Sequence, residues 1–219
     1  MEFRIDGNPD FGELSVALGP GERVVAESGA MSRMSAGMDT RARLGGGILR
    51  GLARKLLGGE SFFLAEYAPT EAGWVVLAPR LPGQVLHHHL EEEELLVAAG
   101  AFLACSPGIR IRTRFMGLKG FFSGKGAFLL RCSGKGDLFT NAYGALVERE
   151  VEEELVVDTG HAMAWTPGLD WSLGGMGGIK STLLSGEGLT LRFRGRGRVW
   201  LQTRTLPGTA GWVRPWCRG

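Results

Sequence analysis

The chain has 219 residues, of which 44% are apolar, so it can bury a sizeable core without needing disulfide bonds. Its formal net charge of +2 excludes a general electrostatic attraction to nucleic acid or to membranes. The segment Met1 to Asp6 has no basic or apolar region typical of a signal peptide, and the longest apolar stretch, 95–105, is too short to span a bilayer. We therefore expect a cytoplasmic protein without a transmembrane segment, with reduced thiols at Cys105, Cys132 and Cys217.

The scarcity of amide side chains is informative about the organism from which the protein comes. The sequence holds two Asn and two Gln, and Arg outnumbers Lys by twenty to five. Low Asn and Gln content is typical of thermophiles, whereas a GC-rich genome alone accounts for the excess of Arg. The sequence leaves both explanations open.

Glycines are abundant, at 36 residues, and twelve of them form a ladder with similar spacing in three parts of the chain. The first gap in each part is 17, 17 and 16 residues, and the second gap is 8 in all three. The three sets of four ladder glycines are Gly12, Gly29, Gly37 and Gly59, then Gly83, Gly100, Gly108 and Gly124, then Gly144, Gly160, Gly168 and Gly186. Turns between short strands require such glycines.

The segments between the ladder glycines also agree. Before the second glycine the chain reads Val24-Val25-Ala26, Leu95-Leu96-Val97 and Leu155-Val156-Val157, and alternating strands follow each fourth glycine. One such unit cannot cover its own apolar face, so three units are expected to close around a shared core. We predict an all-β fold with minor α content: three pseudo-repeats of short antiparallel strands, at about 1–79, 80–140 and 141–206, packed as a β-sandwich or β-helix-like single domain over 1–219 with a short C-terminal tail. The ladder also predicts that Gly29, Gly100 and Gly160 share one backbone conformation.

One segment departs from the repeat. Residues 48–57 carry apolar side chains at helical spacing, with Arg50, Arg54 and Lys55 opposite, and Gly58-Gly59 would end the helix. We predict a short inserted helix here. Its apolar stripe is wider than a small β domain covers, so Leu49, Ala53 and Leu57 are candidates for contact with another subunit or with a membrane surface.

Two stretches resemble the altered-inheritance-of-mitochondria protein twenty-four family. They are Leu44-Gly45-Gly46-Gly47-Ile48-Leu49-Arg50-Gly51 through Ser61, and Leu184-Ser185-Gly186-Glu187-Gly188-Leu189 followed by Gly197-Arg198-Val199-Trp200-Leu201-Gln202. The resemblance covers nearly the whole chain and indicates a bacterial member. It implies a β fold related to the tryptophan RNA-binding attenuation proteins and no known catalytic residues. RNA binding would be an analogy from fold alone.

Three consecutive histidines, His87 to His89, form the most conspicuous polar cluster. Strand alternation places His87 and His89 on one face, where both can bind one metal ion. A closed site needs about four ligands, which Glu91 to Glu94 can complete with oxygens. The alternative is an exposed strand leading into an acidic turn. We favour this alternative and expect no bound metal and no cofactor.

Seven arginines alternate with apolar or small residues along two predicted strands. Two explanations compete: a face for phosphate or nucleic acid, or cross-strand pairing with the runs Glu91–Glu94 and Glu152–Glu154. We favour pairing and predict that at least half of these arginines have a carboxylate within salt-bridge reach. The seven are Arg110, Arg112, Arg114, Arg192, Arg194, Arg196 and Arg198.

These observations favour a non-catalytic, homo-oligomeric binding or scaffold protein, with a trimer or a multiple of it as the first expectation. The alternative is a nucleic-acid or anionic-ligand binding protein that uses the arginine faces. A third hypothesis, from another class, is a metal-dependent enzyme at His87 and His89. No signature of an enzyme occurs in the sequence, so we expect no catalytic activity.

Overall fold

The computed structural model describes residues 1–44, 63–115, 128–174 and 189–217. In these residues β-strands dominate and helix is confined to short segments, which confirms the predicted all-β class with minor α content. The helical segments are α1 (Leu206–Val213) and the 3-10 turns Ala99–Ala101 and Arg214–Trp216. The strands are β1 (Glu2–Asp6), β2 (Glu13–Leu18), β3 (Val24–Glu27), β4 (Met31–Met34), β5 (Met38–Leu44), β6 (Phe63–Pro69), β7 (Gly73–Leu77), β8 (Val85–Ala98), β9 (Phe102–Cys105), β10 (Ile109–Phe115), β11 (Phe128–Asn141), β12 (Leu146–Val151), β13 (Glu154–Asp158), β14 (Ala162–Trp165), β15 (Asp170–Gly174), β16 (Thr190–Arg194) and β17 (Gly197–Gln202).

The strands pair antiparallel in three sheets. One sheet has the order β1-β2-β7-β4, and a small sheet has the order β13-β16-β15. The largest sheet runs β12-β17-β14-β8-β11-β9-β3-β6-β5, with β10 also paired to β11. Alternation decides which face is covered: in β2, Leu14, Val16 and Leu18 are buried, and the residues between them are not.

One pairing pattern occurs three times along the chain. In the first unit (β2–β7) the pairs are β2-β7-β4 and β3-β6-β5, and in the third unit (β12–β17) they are β12-β17-β14 and β13-β16-β15. In the second unit (β8–β11) the long strands β8 and β11 pair along their length, and β11 also pairs with β9 at one end and with β10 at the other. The register recurs as well. In each unit, the residue four positions after the third ladder glycine pairs with a residue of the middle strand, which is β6, β11 or β16. The three pairs are Arg41 with Glu66, Arg112 with Arg131, and Ser172 with Arg192. The bounds of a single domain with three repeats stay a prediction.

The first ladder glycines of the three units meet at one junction. Gly12 N–H donates to Gly83 O at 2.7 Å, and Gly83 forms a parallel bridge with Gly144. Gly83 has φ +151°, and a Cβ there would lie 2.1 Å from the Ala142 carbonyl oxygen. Only glycine fits such a close approach of backbones, so this position is fixed by the contact between units.

The second ladder glycines do not behave alike, so that prediction is wrong. Gly29 has φ +88°, whereas Gly100 and Gly160 are not in the left-handed region. Around Gly100 an added Cβ would meet nothing within 4 Å, whereas at Gly160 it would meet Asp158 and Thr205. The three turns are therefore built differently, because Gly100 lies in a 3-10 turn and Gly29 in a left-handed turn.

The interior consists of three apolar clusters. The central cluster lies around β8, β9 and β11 and includes Phe102, Leu130 and Met163. A second cluster packs the first unit, and a third packs Trp165, Phe193 and Leu191 of the third unit. Cys105 and Cys132 are buried free thiols in the central cluster, and burial raises the pKa of Cys132 to about 12. Cys217 is an exposed free thiol.

Two further expectations have different outcomes. The run Glu91–Glu94 does not form a turn; it lies inside β8, where Glu92 takes φ +63° and the register with β11 shifts. The predicted helix 48–57, with Leu49, Ala53 and Leu57, lies outside the described residues. Among the described helices, none has the length and apolar character needed to cross a bilayer. The relationship to the attenuation proteins stays a prediction.

Candidate functional site

His87, His89 and Asp137 come together on one face of the β8–β11 pair. Asp137 lies directly opposite His89 in the register, and Phe139 lies opposite His87. His87 Nε2 is 2.8 Å and His89 Nδ1 is 3.0 Å from the same oxygen, Asp137 Oδ1. The predicted alternation of the three histidines is thus confirmed, and the strand register adds a carboxylate that the sequence pattern did not indicate.

A second layer of polar contacts holds this group. His89 Nε2 lies 2.9 Å from Glu91 Oε1, and Lys135 Nζ lies 2.8 Å from Glu91 Oε2. The hydrogen bond with Asp137, followed by that with Glu91, raises the pKa of His89. Burial alone would raise the pKa of Asp137, but its hydrogen bonds with His89 and His87 outweigh burial and lower it.

The two faces of the histidine run differ sharply. On the cluster face, the His87 ring stacks on Phe139 with centroids 5.2 Å apart, and the Phe3 ring lies 4.5 Å away. On the opposite face, His88 Nε2 lies 3.0 Å from Thr140 Oγ1 and its ring meets Trp200 edge-on. Burial, with smaller contributions from His87 and Arg198, lowers the pKa of His88 to about 4. His88 is therefore a half-buried imidazole that is neutral at neutral pH.

The arginines of the third unit are largely paired. Arg192 and Arg194 share Glu154, with Arg194 Nε 2.8 Å from Glu154 Oε2. Arg198 Nη1 lies 3.4 Å from Glu148 Oε1. We predicted that Arg192 to Arg198 line one strand, and this is wrong. Gly195 takes φ +103° and places Arg196 in the turn between β16 and β17.

The arginines of β10 are in a different situation. Arg110, Arg112 and Arg114 are exposed, and within the described ranges no carboxylate lies within 4.0 Å of them. Arg112 lies opposite another arginine, Arg131, which uses Glu94 as its own partner at 2.6 Å. Counted over described residues, three of the seven arginines have a salt bridge, fewer than the half that we predicted.

An aromatic surface around the C-terminal helix α1 was not predicted. Phe11, Trp212 and Trp216 are 74%, 74% and 78% exposed. Phe11 and Trp212 border an open cleft of about 970 Å³ that Pro9 and Pro82 also line. None of the residues of α1 is buried, although the helix is apolar and is capped by Thr205. The sequence signal was the tail Gly211-Trp212-Val213-Arg214-Pro215-Trp216, which follows the last repeat without strand alternation.

The polar groups around this cleft are occupied in holding the fold. His161 Nδ1 lies 2.6 Å from the Gln202 carbonyl oxygen, and Tyr143 OH lies 2.8 Å from Thr209 Oγ1, which ties α1 to the turn after β11. Thr203 Oγ1 accepts from the Ala145 N–H at 2.9 Å. The polar groups named here are thus bonded within the protein, and the surface of the cleft is mainly apolar.

Comparison with known proteins identifies relatives along nearly the whole chain. The family model described as "Mitochondrial biogenesis AIM24" matches residues 3–204. An "Uncharacterized protein" of Streptococcus pyogenes serotype M6 is 28% identical over 220 residues, covering 96% of this chain and 89% of that protein. The X-ray crystal structure of another Streptococcus pyogenes protein aligns with a TM-score of 0.83 at 28% identity, covering 98% of this chain and 99% of that one. The match to the family ends before α1 begins, so Trp212 and Trp216 lie beyond it.

Proposed function

This chain belongs to the AIM24 family, and we propose that it acts as a non-catalytic binding module that assembles with further copies of itself. The supporting observation is the aromatic surface formed by Phe11, Trp212 and Trp216, which the fold of one copy leaves uncovered. Large exposed apolar patches rimmed by polar groups mark sites of protein association. We define these three residues together as the aromatic surface.

A second copy suits this surface better than an unrelated partner because the surface carries both a projection and a recess. Trp216 is the projecting group, exposed on the 3-10 turn that follows α1, and the cleft beside Phe11 and Trp212 is open and mainly apolar. Two copies related by a two-fold axis bury both features at once, because the projection of each copy enters the recess of the other. The trimer expected from the three repeats would instead need a head-to-tail contact.

The area that a symmetric pair would bury through the aromatic surface is close to that of a specific interface. An aromatic side chain buries roughly 150–250 Å². A symmetric pair contributes six such side chains, each now about three quarters exposed, or roughly 700–1,100 Å² in total. That approaches the roughly 1,000 Å² which separates specific interfaces from casual contacts.

Sedimentation velocity over a wide concentration range tests the proposal. The wild-type chain is expected to associate reversibly, and Trp216→Ser is expected to weaken association by about tenfold or more, as for a buried aromatic anchor. Trp74→Ser is the matched control, because Trp74 is 44% exposed on β7 and lies outside the aromatic surface. A wild-type chain that stays monomeric, or equal losses in both variants, contradicts the proposal.

A specific observation favours a second candidate function, the binding of an anionic polymer. Arg110, Arg112 and Arg114 form a row on the edge strand β10, opposite Arg131, and lack carboxylate partners within the described part of the chain. Side chains on one face of a strand repeat about every 6.6 Å, so these guanidinium groups can follow a phosphate backbone.

Binding of a single-stranded RNA oligonucleotide, measured by fluorescence anisotropy at several salt concentrations, separates this candidate from the first. The double variant Arg110→Gln with Arg112→Gln is expected to bind more weakly and to lower the salt slope by about 0.7 per lost phosphate contact. The matched control is Arg192→Gln with Arg194→Gln, in the pair held by Glu154, which is expected to keep the affinity. Absence of salt-dependent binding, or equal losses in both double variants, removes this candidate.

A further inference from the structure

We propose that His87, His89 and Asp137 form a binding site for one divalent transition-metal ion, of which Zn²⁺ is the representative. The three side chains offer two imidazole nitrogens and one carboxylate, and their ligand atoms all lie within 4.8 Å of one another. This donor set suits zinc and its first-row neighbours, whereas Mg²⁺ and Ca²⁺ prefer sites made of oxygen alone. The inference is independent of self-association.

The geometry needs little change to accept the ion. His87 Nε2 and His89 Nδ1 lie 2.8 and 3.0 Å from Asp137 Oδ1. Zinc bonds of about 2.0–2.1 Å place neighbouring ligand atoms roughly 3.0–3.4 Å apart. Both nitrogen–oxygen separations therefore need a change of only a few tenths of an ångström, and the two imidazole nitrogens, which lie within 4.8 Å of one another, move closer together as the ion binds.

The surroundings already supply, for His89, the support that a metal-binding histidine requires. A ligating imidazole usually donates its other N–H to a carboxylate, which fixes the ring and its tautomer. Glu91 Oε1 lies 2.9 Å from His89 Nε2, which leaves Nδ1 free to face Asp137, and Lys135 fixes Glu91 in turn. Asp137 is anchored as well, because its backbone N–H donates to Ser106 Oγ at 2.9 Å.

The ligands stand on rigid elements and remain reachable from solvent. All three come from β8 and β11, which share a long antiparallel ladder in the largest sheet. The side chains of His87, His89 and Asp137 are 30%, 52% and 22% exposed, so an ion can enter and water can complete its coordination. Phe3 and Phe139 bracket the His87 ring and restrict its rotation.

Isothermal titration of the full chain, free of any added polyhistidine segment, with ZnCl₂ tests the site. One ion per chain is expected, and Asp137→Asn and His87→Gln are each expected to weaken binding by more than about 100-fold, beyond the range of outer-shell changes. Glu91→Gln removes only the support of His89 and is expected to cost about 10- to 100-fold, less than loss of a direct ligand. His161→Gln is the matched control, since His161 lies elsewhere and contacts the Gln202 backbone.

A second readout separates loss of the site from loss of the fold. Addition of Co²⁺ to the wild type is expected to give visible absorption bands of a nitrogen- and oxygen-ligated ion, and thermal unfolding without metal is expected to show that Asp137→Asn folds. If Zn²⁺ fails to bind the wild type, or binds the folded Asp137→Asn and His87→Gln variants as well as the wild type, the proposal is overturned.

Discussion

The third unit and the C-terminal segment both carry tryptophans, but in opposite environments. Trp165 is 1% exposed and packs edge-on against Phe193 with centroids 5.3 Å apart. Trp212 and Trp216 are 74% and 78% exposed. Trp165 lies inside the family match and the other two lie beyond it. The buried ring packs the core of the third unit, whereas we propose that the exposed rings serve a contact between copies of the chain.

Two sets of arginines, one in the third unit and one in the second, also differ in their surroundings. In the third unit, Glu154 on β13 lies opposite Arg194, so cross-strand neighbours neutralise one another. In the second unit, the equivalent middle strand carries Arg131, and β10 adds further arginines beside it. The middle strand carries an arginine at the equivalent position in both units, Arg131 and Arg192, so the residues on its flanking strands decide whether the charged face is closed or open.

Loss of the buried ring is the largest effect that we predict. Trp165→Ala is expected to lower the free energy of unfolding by about 3–5 kcal/mol, because it leaves a cavity in the third cluster. Trp212→Ala is expected to stay within about 0.5 kcal/mol, as for an exposed site. Urea unfolding at a concentration where the chain is monomeric measures both values. Similar losses in the two variants would break the contrast.

The glycine junction gives the next effect. Gly83→Ala is expected to cost about 1–3 kcal/mol, because the new Cβ would collide with the Ala142 carbonyl oxygen in a left-handed backbone. Gly100→Ala is the matched control, since an added Cβ there meets nothing within 4 Å. Thermal unfolding compares the two. An unchanged melting temperature for Gly83→Ala would argue against a close junction of the three units.

The shared carboxylate gives the smallest effect. A hydrogen bond from Arg194 lowers the pKa of Glu154 from its ordinary value of 4.5. A lowered carboxyl pKa stabilises the fold above the unfolded value, and this contribution is lost as the pH falls through the folded value. Glu154→Gln is therefore expected to lower the urea midpoint slightly at pH 7 and to show a flatter loss of stability below pH 4.5 than the wild type. Identical pH profiles would show that the pairing contributes nothing to stability.

Patterns with a short period were readable from the sequence. Glycine spacing and strand alternation predicted the β class, the positions of many strands and the opposite faces of His87 and His88. These features depend on neighbouring residues, which the sequence displays directly.

Features that depend on pairing across the chain were not readable. Asp137 reaches His87 and His89 through the register of β8 with β11, which a bulge near Ser133 shifts. The length of β11 and the turn at Arg196 also depend on pairing, because β11 continues through Gly134 whereas Gly195 ends β16. The aromatic surface was missed because the C-terminal tail has no periodic pattern.

Fluorine NMR of the chain labelled with 5-fluorotryptophan tests self-association through the aromatic surface most directly. The six tryptophans give six signals, which single substitutions assign. On raising the protein concentration, the signals of Trp212 and Trp216 are expected to shift together and to lose their response to solvent, while that of Trp165 stays constant. If Trp212 and Trp216 give signals that do not depend on concentration while the chain associates, or if the chain does not associate, the claim is contradicted.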